Sequence, residues 1–382
     1  MDNDNDYDLK FMDFEYPEKP KDTDDIDFYE GINEDSEYYE SKKRPKEKKK
    51  KAKTIIKVIV FVILFGASAF IGNRAAAIRW AVHSSLRLVK YDTSGVIQNV
   101  DQEAIKDGET LLDSDEIINI LLVGADKRES WSEAGRSDSC MIATIDLKHK
   151  QLKLTSLMRD MYVDIPGYGM HKFNAAYSYG GVDLLYKTIV SNFGIKVKGY
   201  AVVDFAAFKK VIDTLGGVKI KLTQEECDIL LSRYHRTSVL KLKPGVNKMN
   251  GTQALAYCRL RQDKNADFGR TQRQRYVISQ ILKKMKTKPI RKWNKILEAA
   301  MPEVTTDISE DMIYEYMKDV ILIGNTEIEQ FRIPIEGSYH DQSVAGSSVL
   351  GIDVEQNREA VKKFIFGEDE DRGDKKEESK KE

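Results

Sequence analysis

Apolar positions change their rhythm several times along the chain, and each change predicts an element. The run IIKVIVFVILFGASAFIG, residues 55–72, is interrupted only by Lys57. At about 1.5 Å per residue, such a helix spans roughly 27 Å, near the lower limit for crossing a hydrocarbon core. One transmembrane helix is therefore expected over 54–73. Beyond it, AAAIRWAVHSSLRLV repeats apolar residues at helical spacing and predicts a stalk helix within residues 74–115. EIINILLVGAD (116–126) reads as a buried strand ending at a Gly-Ala-Asp loop. CMIATIDL (140–147) and QLKLTSLM (151–158), joined by the polar KHK, read as a hairpin beside it.

After Gly180 the period lengthens. GVDLLYKTIVSNFG predicts a helix closed by Gly194, with Val182, Leu185, Ile189 and Val190 on one face. YAVVDF is a strand, FAAFKKVIDTLGG a helix ended by Gly216 and Gly217, VKIKL a strand and TQEECDILLSRY a helix. Helices over 271–285, 291–300 and 309–323 precede a last strand at EQFRIPI. Strands alternating with helices of this length predict an α/β sandwich, with a mixed central sheet flanked by helices, forming one domain over 116–366. The charged stretch 367–382 is expected to be a disordered tail.

Charge supplies the orientation. Lys and Arg total 61 against 62 Asp and Glu, so no global field draws nucleic acid, and none is expected as a partner. The charge is segregated instead. Residues 1–40 hold sixteen acids against Lys10, Lys19 and Lys21, which predicts a disordered acidic tail, while residues 42–53 hold nine Lys or Arg and one Glu. Those cations stand before the apolar run, and only Arg74 and Arg79 follow it closely. The positive-inside rule then places residues 1–53 in the cytoplasm and everything beyond about residue 75 outside the cell membrane. Cys140, Cys227 and Cys258 show no metal-ligand spacing, and Cys140 and Cys258 follow the apolar rhythm of their elements, so both are expected in the core. The five histidines form no metal-binding pair. Any metal should be a hard, oxygen-bound ion such as Mg²⁺ or Mn²⁺.

Candidate chemistry gathers at predicted element ends. GADKRESWSEAGRSDS carries Asp126, Arg128, Arg136 and Asp138 between two strands; LMRDMYVDIPG carries Arg159 and Asp160; YCRLRQDKNADFGRTQRQR carries Arg259, Arg261, Arg270, Arg273 and Arg275. Five of the chain's 18 arginines thus fall within 17 residues. Guanidinium forks onto phosphate or carboxylate, and a pyrophosphate needs cations around its oxygens, often with a divalent ion. Asp126 and Asp138 suit that ion, and the arginines suit the oxygens. Arg259 and Arg261 share a face if extended; Arg270, Arg273 and Gln274 share one if helical. That helical stripe runs on as Val277, Ile278, Ile281 and Leu282, and Phe205, Phe208, Val211, Ile212 and Leu215 form a second. Either stripe reads as core-facing or as the seat of a hydrocarbon tail beside a phosphate.

The motifs LLVGADKR, GRSDS, SLMRDMYVDIPG, HKFNAAYSYGG, VDFAAFKKVIDTLGGV, GVNKMNGTQALAYCRLR and DFGRTQRQ resemble, in this order, those of the LytR-CpsA-Psr family of Gram-positive bacteria, across about residues 116–286. The resemblance implies an extracytoplasmic α/β domain that binds polyprenyl-(pyro)phosphate lipids. It also implies a Mg²⁺-assisted phosphotransferase that moves a glycopolymer, such as teichoic acid or capsule, from its lipid carrier onto the muramic acid of peptidoglycan. Carried over by residue, the metal-associated acids are Asp126 and Asp138, either of which is also the candidate base. The pyrophosphate ligands are Arg159, Arg259, Arg261, Arg270, Arg273 and Gln274, with Arg128 and Arg136 inside motif positions. Catalysis is expected of Asp126, Asp138, Arg159 and Arg261, and Arg275 is expected to be surface charge. The family's usual Pro before the Arg-Asp pair is Met158 here. A non-catalytic polyprenyl-phosphate receptor, or a cell-envelope regulatory protein acting as a transcriptional attenuator, is the alternative function.

Overall fold

The computed structural model describes residues 83–106, 111–125, 137–233, 241–261, 266–288, 290–324 and 327–367. The expected membrane span 54–73 and the two charged tails lie outside the described residues, apart from Gly367. Among the described residues, no helix is long and apolar enough to cross a membrane.

Three sheets organise the described residues. The largest has seven strands in the order β1 (Lys90–Tyr91), β10 (Val304–Thr306), β7 (Tyr200–Asp204), β2 (Ile117–Ala125), β3 (Ser137–Asp146), β4 (Gln151–Leu157) and β11 (Ile328–Ile333). It is mixed: β2 runs parallel to β7 and antiparallel to β3, and β4 runs antiparallel to β3 and parallel to β11. The hairpin expected beside the first strand is present, with Cys140 opposite Leu157. A four-stranded sheet follows the order β12 (Tyr339–Val344), β13 (Ser347–Ile352), β5 (Met161–Ile165) and β6 (Gly169–Lys172). EQFRIPI is therefore not the last strand. VKIKL, or β8 (Val218–Leu222), pairs among the described residues only with β9 (Gly245–Met249), outside the large sheet.

Helices cover both faces of the large sheet. On one, Leu121, Val123, Cys140, Ile142, Tyr200 and Val202 pack with α1 (Val96–Lys106), α2 (Ala175–Phe193) and α9 (Val354–Phe366) into the main core. Each such side chain contributes about 1.5–3 kcal/mol by leaving water. Gly194 closes α2 in the left-handed conformation, φ 65°, as its position after the apolar stripe predicts. On the opposite face, α3 (Phe205–Thr214), α4 (Gln224–Arg233), α5 (Gly251–Cys258), α6 (Ala266–Lys286) and α7 (Ile290–Ala300) share a second cluster with the β8–β9 hairpin. α8 (Glu310–Leu322) covers Ile118, Ile145 and Leu152 near the sheet's other end. Cys140 and Cys258 are buried in these clusters as expected. The stretch expected as a stalk is different. Leu86, Val89, Ile97 and Val100 are buried, because α1 packs on α2 and the segment before β1 packs on α7 and α8.

A buried ion pair ties the sheet to α9. Lys153 Nζ lies 2.7 Å from Asp146 Oδ2 and donates to the Ile365 carbonyl at 2.9 Å; the two side chains are 4% and 0% exposed. Burial pushes the Asp146 carboxyl up, but the hydrogen bonds from Lys153 and His149 outweigh it and leave it below its ordinary value. That stabilisation is present above the unfolded carboxylate range, about pH 4, and is lost as pH falls through the lowered value. Lys153→Met should cost about 3 kcal/mol at pH 7, since the partner charge stays buried. Urea denaturation should show that gap between variant and native protein shrinking below about pH 4; a gap independent of pH would refute the pairing.

Candidate functional site

One set of strand ends of the large sheet collects the charged loops. Because β3 pairs antiparallel with β2 and with β4, the end of β2, the start of β3 and the end of β4 emerge together. Asp138 stands at the start of β3 and Arg159 two residues beyond β4. Their turn is fixed by backbone bonds. Met158 N–H donates to Ile333 of β11 at 3.0 Å, Asn174 N–H to the Arg159 carbonyl at 3.1 Å, and Leu350 N–H of β13 to the Asp160 carbonyl at 2.8 Å. The remaining arginines come from α5 and α6. A capping box between Asn250 and Gln253 starts α5, and Gly251 N–H donates to Asp213 of α3 at 2.7 Å. A Cβ at residue 251 would meet the Lys209 carbonyl at 2.4 Å, so the close approach that sets α5 requires glycine.

Three guanidiniums converge on one acid. Asp267, in the first turn of α6, lies 3.5 Å from Arg159, 3.5 Å from Arg261 and 3.3 Å from Arg270. Arg159 also reaches Asp160 at 3.0 Å and Asp138 at 3.7 Å, and Arg261 lies 4.0 Å from Asp138. Lys172 holds the other oxygen of Asp160 at 3.0 Å. Burial would raise the Asp160 carboxyl, yet the Arg159 and Lys172 cations hold it below its ordinary value. Arg270 is 3% exposed, and its Nε and Nη1 have no hydrogen-bond partner among the described residues; the close approach to Asp267 misses hydrogen-bonding geometry. Burial first, then the neighbouring Arg159 cation, pushes Arg270 down to about 10, and burial with Arg159 lowers Arg261 as well. Both remain cations at neutral pH.

Not every predicted residue joins this cluster. Arg259 caps α5 and lays its guanidinium 5.0 Å over the Phe205 ring, so it does not share a face with Arg261. Arg273 bonds Glu226 at 2.8 Å and the Leu260 carbonyl at 3.1 Å, which fixes the chain just before Arg261. Gln274 is half-buried on α6. Asp126, Arg128 and Arg136 lie outside the described residues, Asp126 directly following the last residue of β2. Arg275 corrects an expectation: it is 7% exposed, not surface charge, because α6 is covered on that side too. Lys172 and Arg332 were missed, each being a single cation in a short strand with no clustering to mark it.

The two flanks of the cluster differ. Beside Arg259, the sheet face turned toward α6 leaves Ile120, Leu122, Ala143, Ala201 and Val203 half-buried, and Phe205, Phe208, Val211, Ile278 and Leu282 on the helices are half-buried too. The helical cluster contains none of those strand residues. On the other flank a cavity of about 900 Å³ is lined by Arg159, Asp160, Asp267, Arg275, Arg332 and Tyr339, among others. A cage of under-neutralised guanidiniums beside an apolar face suits an amphiphilic phosphate.

A model of the LytR_cpsA_psr family matches residues 85–365. The chain belongs to that family. It is 36% identical over 252 residues to "Regulatory protein MsrR" of Staphylococcus aureus, covering 65% of this chain and 74% of that protein. It is 32% identical over 267 residues to "Polyisoprenyl-teichoic acid--peptidoglycan teichoic acid transferase TagU" of Enterococcus faecalis, covering 68% of this chain and 80% of that protein. Among solved structures, TagT bound to LI-WTA superposes with a TM-score of 0.56 at 28% identity, covering 66% of this chain and 90% of that one. The same protein with bound octaprenyl pyrophosphate lipid gives 0.53 at 27%, covering 66% and 91%. The family's α/β fold, a mixed sheet flanked by helices, is the fold described above.

A buried cation kept for a ligand should show opposite effects on stability and binding. Arg270→Met should raise the unfolding temperature of the ligand-free protein, by about 1 kcal/mol or more in free energy, since a poorly compensated charge is replaced by an apolar side chain. It should also remove any rise in that temperature that inorganic pyrophosphate gives the native protein. Thermal unfolding with and without pyrophosphate reads both, and a variant that is destabilised yet still binds would contradict this role.

Proposed function

We propose that this chain is a membrane-anchored phosphotransferase, working outside the cell membrane, that moves a glycopolymer from a polyprenyl-pyrophosphate carrier onto the muramic acid of peptidoglycan. The observation that carries the proposal is Arg270, buried and with two donor nitrogens unfilled among the described residues, beside Arg159 and Arg261 at the strand ends of the large sheet. A pyrophosphate supplies both the charge and the acceptor oxygens that these guanidiniums lack. Support for the lipid comes from the likeness to TagT with bound octaprenyl pyrophosphate, and support for transfer from the activity in TagU's name.

In this reading the isoprenoid tail lies along the half-buried face of Leu122, Ala201, Phe205 and Phe208, while Arg159, Arg261 and Arg270 hold the pyrophosphate, with Arg259 at the mouth. A muramic acid hydroxyl attacks the sugar-side phosphorus. A new P–O bond forms as the bridging P–O bond breaks, polyprenyl phosphate leaves, and the hydroxyl proton passes to a carboxylate, Asp138 or Asp126. The arginines stabilise the charge growing on the leaving phosphate. Among the described residues no group of three or more His, Cys, Asp or Glu is placed to hold a metal. Asp138, whose nearest guanidiniums stand off at 3.7 and 4.0 Å, nevertheless fits Mg²⁺, which binds through one or two carboxylates plus substrate phosphate and water. With Asp126 it would hold such an ion, which would supply further neutralisation of phosphate charge.

Purified full-length chain in detergent, given a teichoic-acid-type lipid pyrophosphate and peptidoglycan, should release polyprenyl phosphate only when Mg²⁺ is present. Arg261→Ala should lower that release by about 100-fold or more, as loss of a donor at a developing charge does, with the unfolding temperature little changed. Undiminished release would sink the mechanism. Lipid binding without turnover in the native protein would favour a receptor.

A further inference from the structure

A second arginine pair lies in the 900 Å³ cavity, beyond the cluster that the pyrophosphate reading uses. Arg275, on α6, is 7% exposed, and its Nε and Nη1 are buried without a hydrogen-bond partner among the described residues. Arg332, on β11, stacks 4.2 Å over the Phe268 ring and 5.9 Å from that of Tyr339, which fixes its plane. Its ion pair with Glu336, at 3.4 Å, is to a side chain 85% exposed, and such pairs contribute little. Burial first, then the Arg332 cation, pushes Arg275 down to about 10. Two like charges thus face one cavity. Water in the cavity would leave both cations uncompensated; an oxyanion there neutralises them.

We propose that Arg275 and Arg332 form a second oxyanion seat, separate from the pyrophosphate cage, that holds an anionic group on the polymer or acceptor side of the reaction. The cavity also contains Arg159, Asp160 and Asp267 on its wall, so an occupant lies next to the reacting phosphorus. The carboxylates Asp160 and Asp267 stand at the boundary and discourage one anion from spanning both seats. The Phe268 and Tyr339 rings, centroids 5.0 Å apart, give the seat a flat apolar wall suited to the face of a sugar. Two sources carry this chemistry: a phosphodiester of the glycopolymer, or a carboxylate of the muramic acid acceptor. The proposal rests on the transferase reading for the identity of the anion, but not for the existence of the seat.

The test is double occupancy. Full-length protein in detergent is saturated with octaprenyl pyrophosphate, and glycerol 3-phosphate or N-acetylmuramic acid is then added while the unfolding midpoint is followed. At least one should raise the midpoint further, phosphate pointing to the polymer and carboxylate to the acceptor. Arg332→Gln should keep the octaprenyl pyrophosphate shift and weaken the second ligand by about tenfold or more, the scale of one charge-assisted hydrogen bond; Arg275→Gln is the confirming variant where it folds. No second shift from either probe, or an undiminished one in both variants, overturns the seat. Absence of any octaprenyl pyrophosphate shift defeats the transferase reading instead, and the second seat is then read on ligand-free protein.

Discussion

The turn Met158–Met161 is where the seven-stranded and four-stranded sheets join, and the geometry of the site hangs on it. Residues 151–157 belong to one sheet and 161–165 to the other, so the Arg159–Asp160 pair bridges them with its backbone held by β11, by the entry to α2 and by β13. A guanidinium that must fork onto phosphate has to be aimed within a fraction of an ångström, and a long flexible side chain achieves that only from a rigid base. Met158 contributes through its backbone. Its N–H donates to Ile333, a bond that the proline expected from the family resemblance has no donor to make. The departure from the family pattern therefore adds a tether between β4 and β11 beneath Arg159.

Given that base, the site's charge is arranged around a deficit of anions. Arg159, Arg261 and Arg270 share Asp267; among the described residues Arg159 also has Asp160, which Lys172 uses too, and Asp138 stands off at 3.7 Å from Arg159 and 4.0 Å from Arg261. Arg270 and Arg275 sit five residues apart on α6, which turns them about 140° from each other at 100° per residue. They face different surroundings, and both keep buried N–H groups unfilled. A helix carrying two such charges is a poor stabiliser of the free protein. It is well suited as a wedge between two anionic ligands.

The large sheet was legible because β2, β3 and β4 are consecutive, long and apolar, and their pairing is local. Gly194 after the Val182–Val190 stripe closed α2 for the same local reason. The smaller sheet was not. β5 has five residues and β6, GMHK, only four with glycine and two polar positions, and β13 reaches Met161 from nearly two hundred residues away, so no window of sequence contains the pairing. That omission explains the misreading of Arg275. With one covered face expected for α6, a residue off the apolar stripe reads as exposed; β11, β12 and β13 instead wall the cavity beside it. Arg159, Arg261 and Arg270 were identifiable by type and clustering, whereas the commitment of Arg273 to Glu226 depends on α4, forty-seven residues upstream.

The contrast between the two flanks gives the site a direction. On the Arg259 side the neighbours are Phe205 and small or aliphatic strand residues; on the Arg332 side they are Tyr339, Gln272, Asp341 and Ser348, with a guanidinium stacked on rings. An apolar chain entering on the polar side would leave buried charge without water, and a sugar polymer entering on the apolar side would lose its hydrogen bonds. Each end of an amphiphilic pyrophosphate thus has one favourable side. In the proposed reading the phosphorus linking those ends would sit near Asp138, Arg159 and Asp267, which share close approaches, and the rigid turn beneath Arg159 would keep that place fixed.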